Sequence, residues 1–110
     1  PEEKFDLIVL DPPKFVRSRS HLKAGLKKYR MVNLLAMQAI QPGGFLITCS
    51  CSSMVSDTDF LRMLTEAGAT ADRQVHVLGV WGQGADHPFL APCPESRYLK
   101  CFVTQIQHRD

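Results

Sequence analysis

The 110-residue chain is 45% hydrophobic and 22% charged with a net charge of +2, an ordinary composition for a folded domain that argues against a disordered or low-complexity segment. One domain fits this length and two do not, so residues 1–110 are read as a single unit. No apolar run approaches the roughly 20 residues of a spanning helix and no signal-peptide pattern opens the chain, which is therefore read as soluble and cytoplasmic, with no membrane partner.

The first element is in FDLIVLDPPKF, residues 5–15. Phe5–Leu10 is almost continuously apolar and rich in branched side chains, the pattern of a parallel strand buried on both faces. It stops at Asp11. Pro12 and Pro13 then restrict the backbone, so the Asp11 carboxylate and the Phe15 ring are expected in defined positions. Ser18 or Ser20 stands where it could cap a helix carrying the basic residues that follow. From Pro12 to Ser56 there is no Asp or Glu, and Lys14, Arg17, Arg19, Lys23, Lys27, Lys28 and Arg30 crowd the first half of that stretch. Such a run is either a solvated helix face or a set of phosphate contacts.

A second helical pattern, Met31, Leu34, Leu35 and Gln38 with Ala36, Ala39 and Ile40, runs to the punctuation Gln41-Pro42-Gly43-Gly44. FLITCSCS, residues 45–52, reads as the second strand. SDTDFLRMLTEAGA, residues 56–69, reads as a helix with an acidic first turn and Gly68 near its end. Residues 73–81 and 98–106 are a third and a fourth strand, separated by a stretch too rich in turn formers to be helical. The order β-α-β-α-β-loop-β predicts a parallel α/β sheet finished by a hairpin that makes the last strand antiparallel.

Without a secretory signal, the four cysteines are expected to be reduced. Cys49 and Cys51 are two apart in a strand and so share a face, and with Cys93 and Cys101 they match no common zinc spacing, so no metal is expected. Ligands of open α/β sheets bind past the carboxyl ends of the strands. Two such ends are chemically loaded here: Asp11-Pro12-Pro13-Lys14-Phe15 after the first strand, and Cys49-Ser50-Cys51-Ser52 at the end of the second. Together they put an acid and a thiol on neighbouring strands at one edge.

DPPKF, GGFLITCSCS, ADHP at residues 85–88 and PESRYLK at residues 94–100, in this order and spacing, resemble the carboxyl-terminal part of bacterial S-adenosylmethionine-dependent RNA methyltransferases that methylate carbon 5 of a cytosine in large-subunit ribosomal RNA. The resemblance spans nearly the whole chain. It implies a Rossmann-like class I methyltransferase sheet in which the four strands are strands four to seven, S-adenosylmethionine as cofactor, and ribosomal RNA as partner. The family's Gly-rich cofactor loop and the acid after its second strand have no counterpart before Phe5, and the chain begins at Pro1. It is therefore expected to be the second half of a methyltransferase domain, unable by itself to bind the cofactor usefully.

Carried over by position, the resemblance makes Asp11 the acid beside methyl donor and target base, and Cys51 the cysteine of the Ser-Cys-Ser motif, the nucleophile. Asp11, Pro12 and Pro13 would meet the cofactor, and Lys14, Phe15, Arg17, Arg19 and Lys23 the RNA. Cys49 lies deeper in its strand, where packing suits it better. Cytosine methyltransferases with two cysteines carry the second where this chain has Pro13; the ribosomal group resembled here also lacks it, which leaves the base that removes the carbon-5 proton unnamed. His87, Glu95, Tyr98 and Lys100 read as structural or substrate-loop residues.

Two other readings stand beside this one. An amino-group methyltransferase would use an acid-Pro-Pro-aromatic motif without a cysteine, but Lys14 displaces the ring by one place and Cys51 is present. A non-catalytic α/β module could bind RNA or itself. With the family's first strand absent, Phe5–Leu10 would be an uncovered edge with Asp6 as its only charge, so self-association through that edge is expected.

Overall fold

The computed structural model describes residues 4–82 and 99–109. Its elements are β1 (Phe5–Leu10), a 3-10 turn (Arg19–His21), α1 (Leu22–Gln38), β2 (Ile40–Ser50), α2 (Asp57–Ala71), β3 (Arg73–Gly82) and β4 (Lys100–His108). The four strands form one sheet in the order β1-β2-β4-β3. β1 runs parallel to β2, and β4 is inserted antiparallel between β2 and β3. The last strand is thus antiparallel, as the sequence predicts, and the fold is a mixed Rossmann-like α/β sheet.

Both helices pack on the same face. Thr48 of β2, hydrogen-bonded to Asn33 of α1, is the register partner of Phe102 of β4, which stacks on Phe60 of α2 with ring centroids 4.6 Å apart. The core beneath the helices contains Tyr29, Met37, Leu46, Phe60, Leu64, Phe102 and Ile106, all essentially inaccessible. α2 begins where its sequence says it should: Ser56 Oγ accepts from the Asp59 amide at 3.0 Å, and Asp57 and Asp59 place negative charge at the positive end of the helix. Arg73 then clamps the far end of the layer. Its guanidinium donates to the Met37 carbonyl at the end of α1 (2.7 Å) and to the Gln107 carbonyl of β4 (3.2 Å), and burial lowers its pKa.

Several local expectations are corrected. The two helical patterns after Ser20 form one helix, because nothing between Leu22 and Gln38 breaks the hydrogen-bond ladder. Neither Ser18 nor Ser20 caps it. His21 holds that position without a side-chain capping bond, its Nδ1 hydrogen-bonding instead to Ser18 Oγ (2.7 Å), which also lies 2.9 Å from Ser20 Oγ. Gln41-Pro42-Gly43-Gly44 do not precede β2 but interrupt it. The pairing jumps from Phe5↔Ile40 to Leu7↔Phe45, and Gly43 supplies the positive φ (87°) that the excursion needs.

The strand expected to be buried on both faces buries one. Ile8 and Leu10 pack on the core, whereas Phe5, Leu7 and Val9 are 52%, 55% and 61% exposed. The reason is that both helices lie on the opposite face and that β2 is the sole neighbour of β1 among the described residues. Cys51 lies just past β2, outside the strand in which the spacing would have it share a face with Cys49. His87, Cys93, Glu95 and Tyr98 lie outside the described residues.

Candidate active site

β1 and β2 are parallel neighbours with Leu10 opposite Thr48, so the turns that follow them leave the same edge of the sheet. Three interactions bind the turns together. Ser52 Oγ donates to the Val16 carbonyl at 2.8 Å, joining the second turn to the first. The Phe15 ring meets Tyr29 of α1 edge-on, centroids 4.8 Å apart. α1 itself presses against the first turn through Gly25, where an added Cβ would stand 2.3 Å from Val16 Cγ2 and 2.7 Å from the Phe15 carbonyl oxygen, so only glycine permits the approach.

The Ser-Cys-Ser pattern acquires a physical reading here. Ser50 and Ser52 are buried and occupied: Ser50 Oγ donates to the Tyr29 hydroxyl at 3.4 Å and accepts from the Ser52 amide at 3.3 Å, and Ser52 Oγ also accepts from the Met54 amide at 3.2 Å. Cys51 between them is half-exposed, with no hydrogen-bond partner among the described residues. The serines hold the turn and leave the thiol available. Asp11 is exposed and likewise without a side-chain partner among the described residues.

Asp11 and Cys51 follow neighbouring parallel strands at one edge of the sheet, and both are near enough to Tyr29 to bear on its ionisation. Burial raises the pKa of this tyrosine, the Ser50 hydrogen bond opposes the rise, and negative charge on Cys51 and on Asp11 adds to it. A buried polar chain supports the tyrosine from below: Thr48 Oγ1 donates to Asn33 Oδ1 (2.7 Å) and Asn33 Nδ2 to the Tyr29 carbonyl (2.7 Å). The supporting roles of Tyr29, Ser50, Ser52 and Gly25 escape a reading of the sequence. Gly25, Tyr29, Asn33 and Met37 recur every four residues along α1, which marks a buried face but does not say that it ends under the edge that bears Asp11 and Cys51.

The other expected site residues are distributed unevenly. Pro12 and Lys14 are half-buried and Pro13 is exposed. Phe15 is half-buried and packs on the core against Tyr29, so its ring holds the turn as much as it faces outward. Arg17, Arg19 and Lys23 are exposed along the approach to α1. Lys100 ties the start of β4 to α2, donating to the Val55 carbonyl (3.1 Å) and pairing with Asp57 (2.9 Å).

Cys49 has a different environment. It is 5% exposed, and its thiol donates to the directly opposed Cys101 sulfur at 2.7 Å. Burial first, then the Cys101 hydrogen bond, push its pKa far above the ordinary thiol value. Among the described residues no group of three or more His, Cys, Asp or Glu side chains is placed to hold a metal ion, and no helix is long and apolar enough to cross a membrane.

No family model matches the chain. Curated relatives do. It is 42% identical over 104 residues to the ribosomal RNA large subunit methyltransferase I of Erwinia tasmaniensis, and equally to that of an Enterobacter species, each match covering 94% of this chain and 26% of the relative. The chain thus spans about a quarter of their length. Among solved structures, SMU.776, a proposed methyltransferase complexed with SAH, superposes with a TM-score of 0.68 at 18% identity, covering 94% of this chain and 26% of that one. A proposed SAM-dependent methyltransferase from Streptococcus mutans gives 0.65 at 19% identity, again over 94% of this chain and 26% of its own. At such identities the likeness is one of fold, and the fold is that of a stretch of S-adenosylmethionine-dependent methyltransferases.

Proposed function

We propose that the chain is the second half of the catalytic domain of an S-adenosylmethionine-dependent methyltransferase that modifies large-subunit ribosomal RNA at carbon 5 of a cytosine, with Cys51 as nucleophile and Asp11 as the acid beside base and cofactor. The observation that carries this reading is the turn Ser50-Cys51-Ser52, in which both serines are engaged and the thiol between them is left half-exposed at the edge that also bears Asp11. The names of the relatives, large-subunit ribosomal RNA methyltransferases, and the SAH in the complex of similar fold support the substrate class and the cofactor.

Carbon 5 of cytosine is a poor nucleophile until something adds at carbon 6. The Cys51 thiolate adds there, forming a carbon–sulfur bond, while the Asp11 carboxyl hydrogen-bonds the ring near N3 and stabilises the enamine. S-adenosylmethionine, when bound, supplies the electrophilic methyl that carbon 5 takes. Loss of the carbon-5 proton to a base then expels Cys51 as thiolate and restores the aromatic ring. Pro12 and Pro13 keep the Asp11 turn from relaxing away from this geometry.

Asp11, Pro12 and Pro13 suit the methyl end of the cofactor: an exposed carboxylate beside a sulfonium, and a rigid wall without N–H donors. They do not make a whole site. The glycines of the described residues lie inside helices and strands, none in a turn joining a strand end to a helix start, so the described residues offer no backbone cradle for the nucleoside end. The complete protein that carries this chain, given labelled S-adenosylmethionine and large-subunit ribosomal RNA, should yield 5-methylcytidine on nucleoside analysis. An N-methylated base as the product would redirect the reading to amino-group transfer.

A further inference from the structure

The two helices on the covered face form a groove of about 550 Å³ lined by Lys23, Leu26, Lys27 and Arg30 of α1 and by Asp59, Arg62, Met63 and Glu66 of α2. Each helix contributes positions i, i+3, i+4 and i+7, one continuous stripe, so the two stripes face each other along the groove. Leu26 and Met63 provide its apolar surface, and four cations stand against two acids. The sole ion pair among the described residues is Lys100–Asp57, so none of the four cations is neutralised by a carboxylate within salt-bridge distance there.

The position of the groove matters as much as its charge. α1 follows β1 and α2 follows β2, and each runs back along the sheet against the strand it follows, so the amino-terminal half of each helix lies toward the strand carboxyl ends. Lys23, Leu26, Lys27, Asp59, Arg62 and Met63 belong to those halves, Arg30 stands at the middle of α1, and Glu66 lies just past the middle of α2. Its amino-terminal end therefore lies toward the edge that carries Asp11 and Cys51, and exposed Arg17 and Arg19 belong to the segment that leads from that edge to α1. The positive ends of both helix dipoles reinforce attraction for anions at this end.

We propose that this α1–α2 groove holds the sugar–phosphate backbone of the RNA flanking the target base, with Lys23, Lys27, Arg30 and Arg62 binding phosphates and Asp59 and Glu66 setting register by excluding phosphate from two places. The inference rests on the methyltransferase reading above and extends it to α2, which contributes Arg62 from outside the basic run. Phosphate binding of this kind contributes affinity and salt dependence without reading sequence.

The test is RNA binding by the complete protein, measured with a ribosomal RNA fragment over a salt series. Lys27→Glu with Arg62→Glu should weaken binding about tenfold or more and make the salt dependence shallower by about one log unit for each phosphate left unneutralised. Lys28→Glu, the same charge change on α1 but off the groove, should have a much smaller effect. Circular dichroism and S-adenosylmethionine affinity should stay at wild-type values in both variants; should the reversal misfold, Lys27→Gln with Arg62→Gln replaces it, with a smaller loss expected. Unchanged affinity and salt slope in the groove variants, with wild type binding RNA normally, would overturn the groove alone. A wild-type protein that binds no RNA would overturn the groove and the substrate reading together.

Discussion

The interior of β2 and the turn just beyond it can be compared through two thiols, Cys49 and Cys51, only two residues apart. Cys49 lies inside the ladder, buried, hydrogen-bonded to Cys101 and held protonated by its surroundings. Cys51 lies past the last paired residue, half-exposed, between two serines that absorb the local hydrogen-bonding demand. A thiol's availability is thus decided here by where the strand ends. The same division separates Tyr29, whose ring belongs to the core, from its hydroxyl, which accepts from Ser50 at the end of β2.

The largest difference between the two thiols is expected from Cys51→Ala in the complete protein. Methylation should fall by about three orders of magnitude or more, because no neighbouring group supplies addition at carbon 6. Thermal melting should be nearly unchanged, since the side chain is half-exposed and unpartnered among the described residues. Next comes the interior. Phe60→Ala removes the middle of the ring series Tyr29–Phe60–Phe102 and should cost about 3 to 5 kcal/mol in denaturant unfolding.

Cys49→Ala should cost about 1 kcal/mol of stability with activity retained. It also has a pH signature. The thiol's pKa is raised above the ordinary thiol value, so in alkaline solution the native state keeps a proton that the unfolded chain releases. Stability is therefore full below about pH 8.5, where the unfolded thiol is still protonated, and falls as pH rises beyond it. Cys49→Ala should flatten that alkaline decline in unfolding titrations. The smallest stability effect is expected on the open face. Leu7→Lys changes a side chain that is 55% exposed, so stability should shift by less than about 0.5 kcal/mol. We propose that the 110-residue chain self-associates through β1, so light scattering should show association that Leu7→Lys suppresses, and a monomeric unsubstituted chain would contradict this.

The elements legible in the sequence are those specified locally. α2 carries its cap and acids within its own first turn, and β3 carries its own alternation and apolar run, so both lie within a residue or two of expectation. What depends on distant partners is not legible there. The exposure of Phe5, Leu7 and Val9 follows from which face the helices cover, and the interruption of β2 at Gln41-Pro42-Gly43-Gly44 follows from its pairing with β1. Asp11 stands out because an acid set before two prolines at a strand end is conspicuous, whereas Cys51 is singled out by the resemblance of its Ser-Cys-Ser motif, since a free cysteine by itself reads as a packing residue. Tyr29 does not, because an aromatic residue at helical spacing looks like core until its hydroxyl is found beside Ser50. The stripe that pairs Arg62 with Lys27 is visible only once two helices face each other.

The most direct test uses RNA carrying 5-fluorocytosine at the target position. Fluorine replaces the proton whose loss expels the enzyme, so after methyl transfer the carbon–sulfur bond at carbon 6 cannot be released. Incubated with S-adenosylmethionine, the complete protein should form a stable covalent RNA adduct, and mass spectrometry of its peptides should place the link on Cys51, with Cys51→Ala forming none and Cys49→Ala forming it normally. An adduct mapped to Cys49, or full methylation of ordinary RNA by Cys51→Ala, would contradict the account.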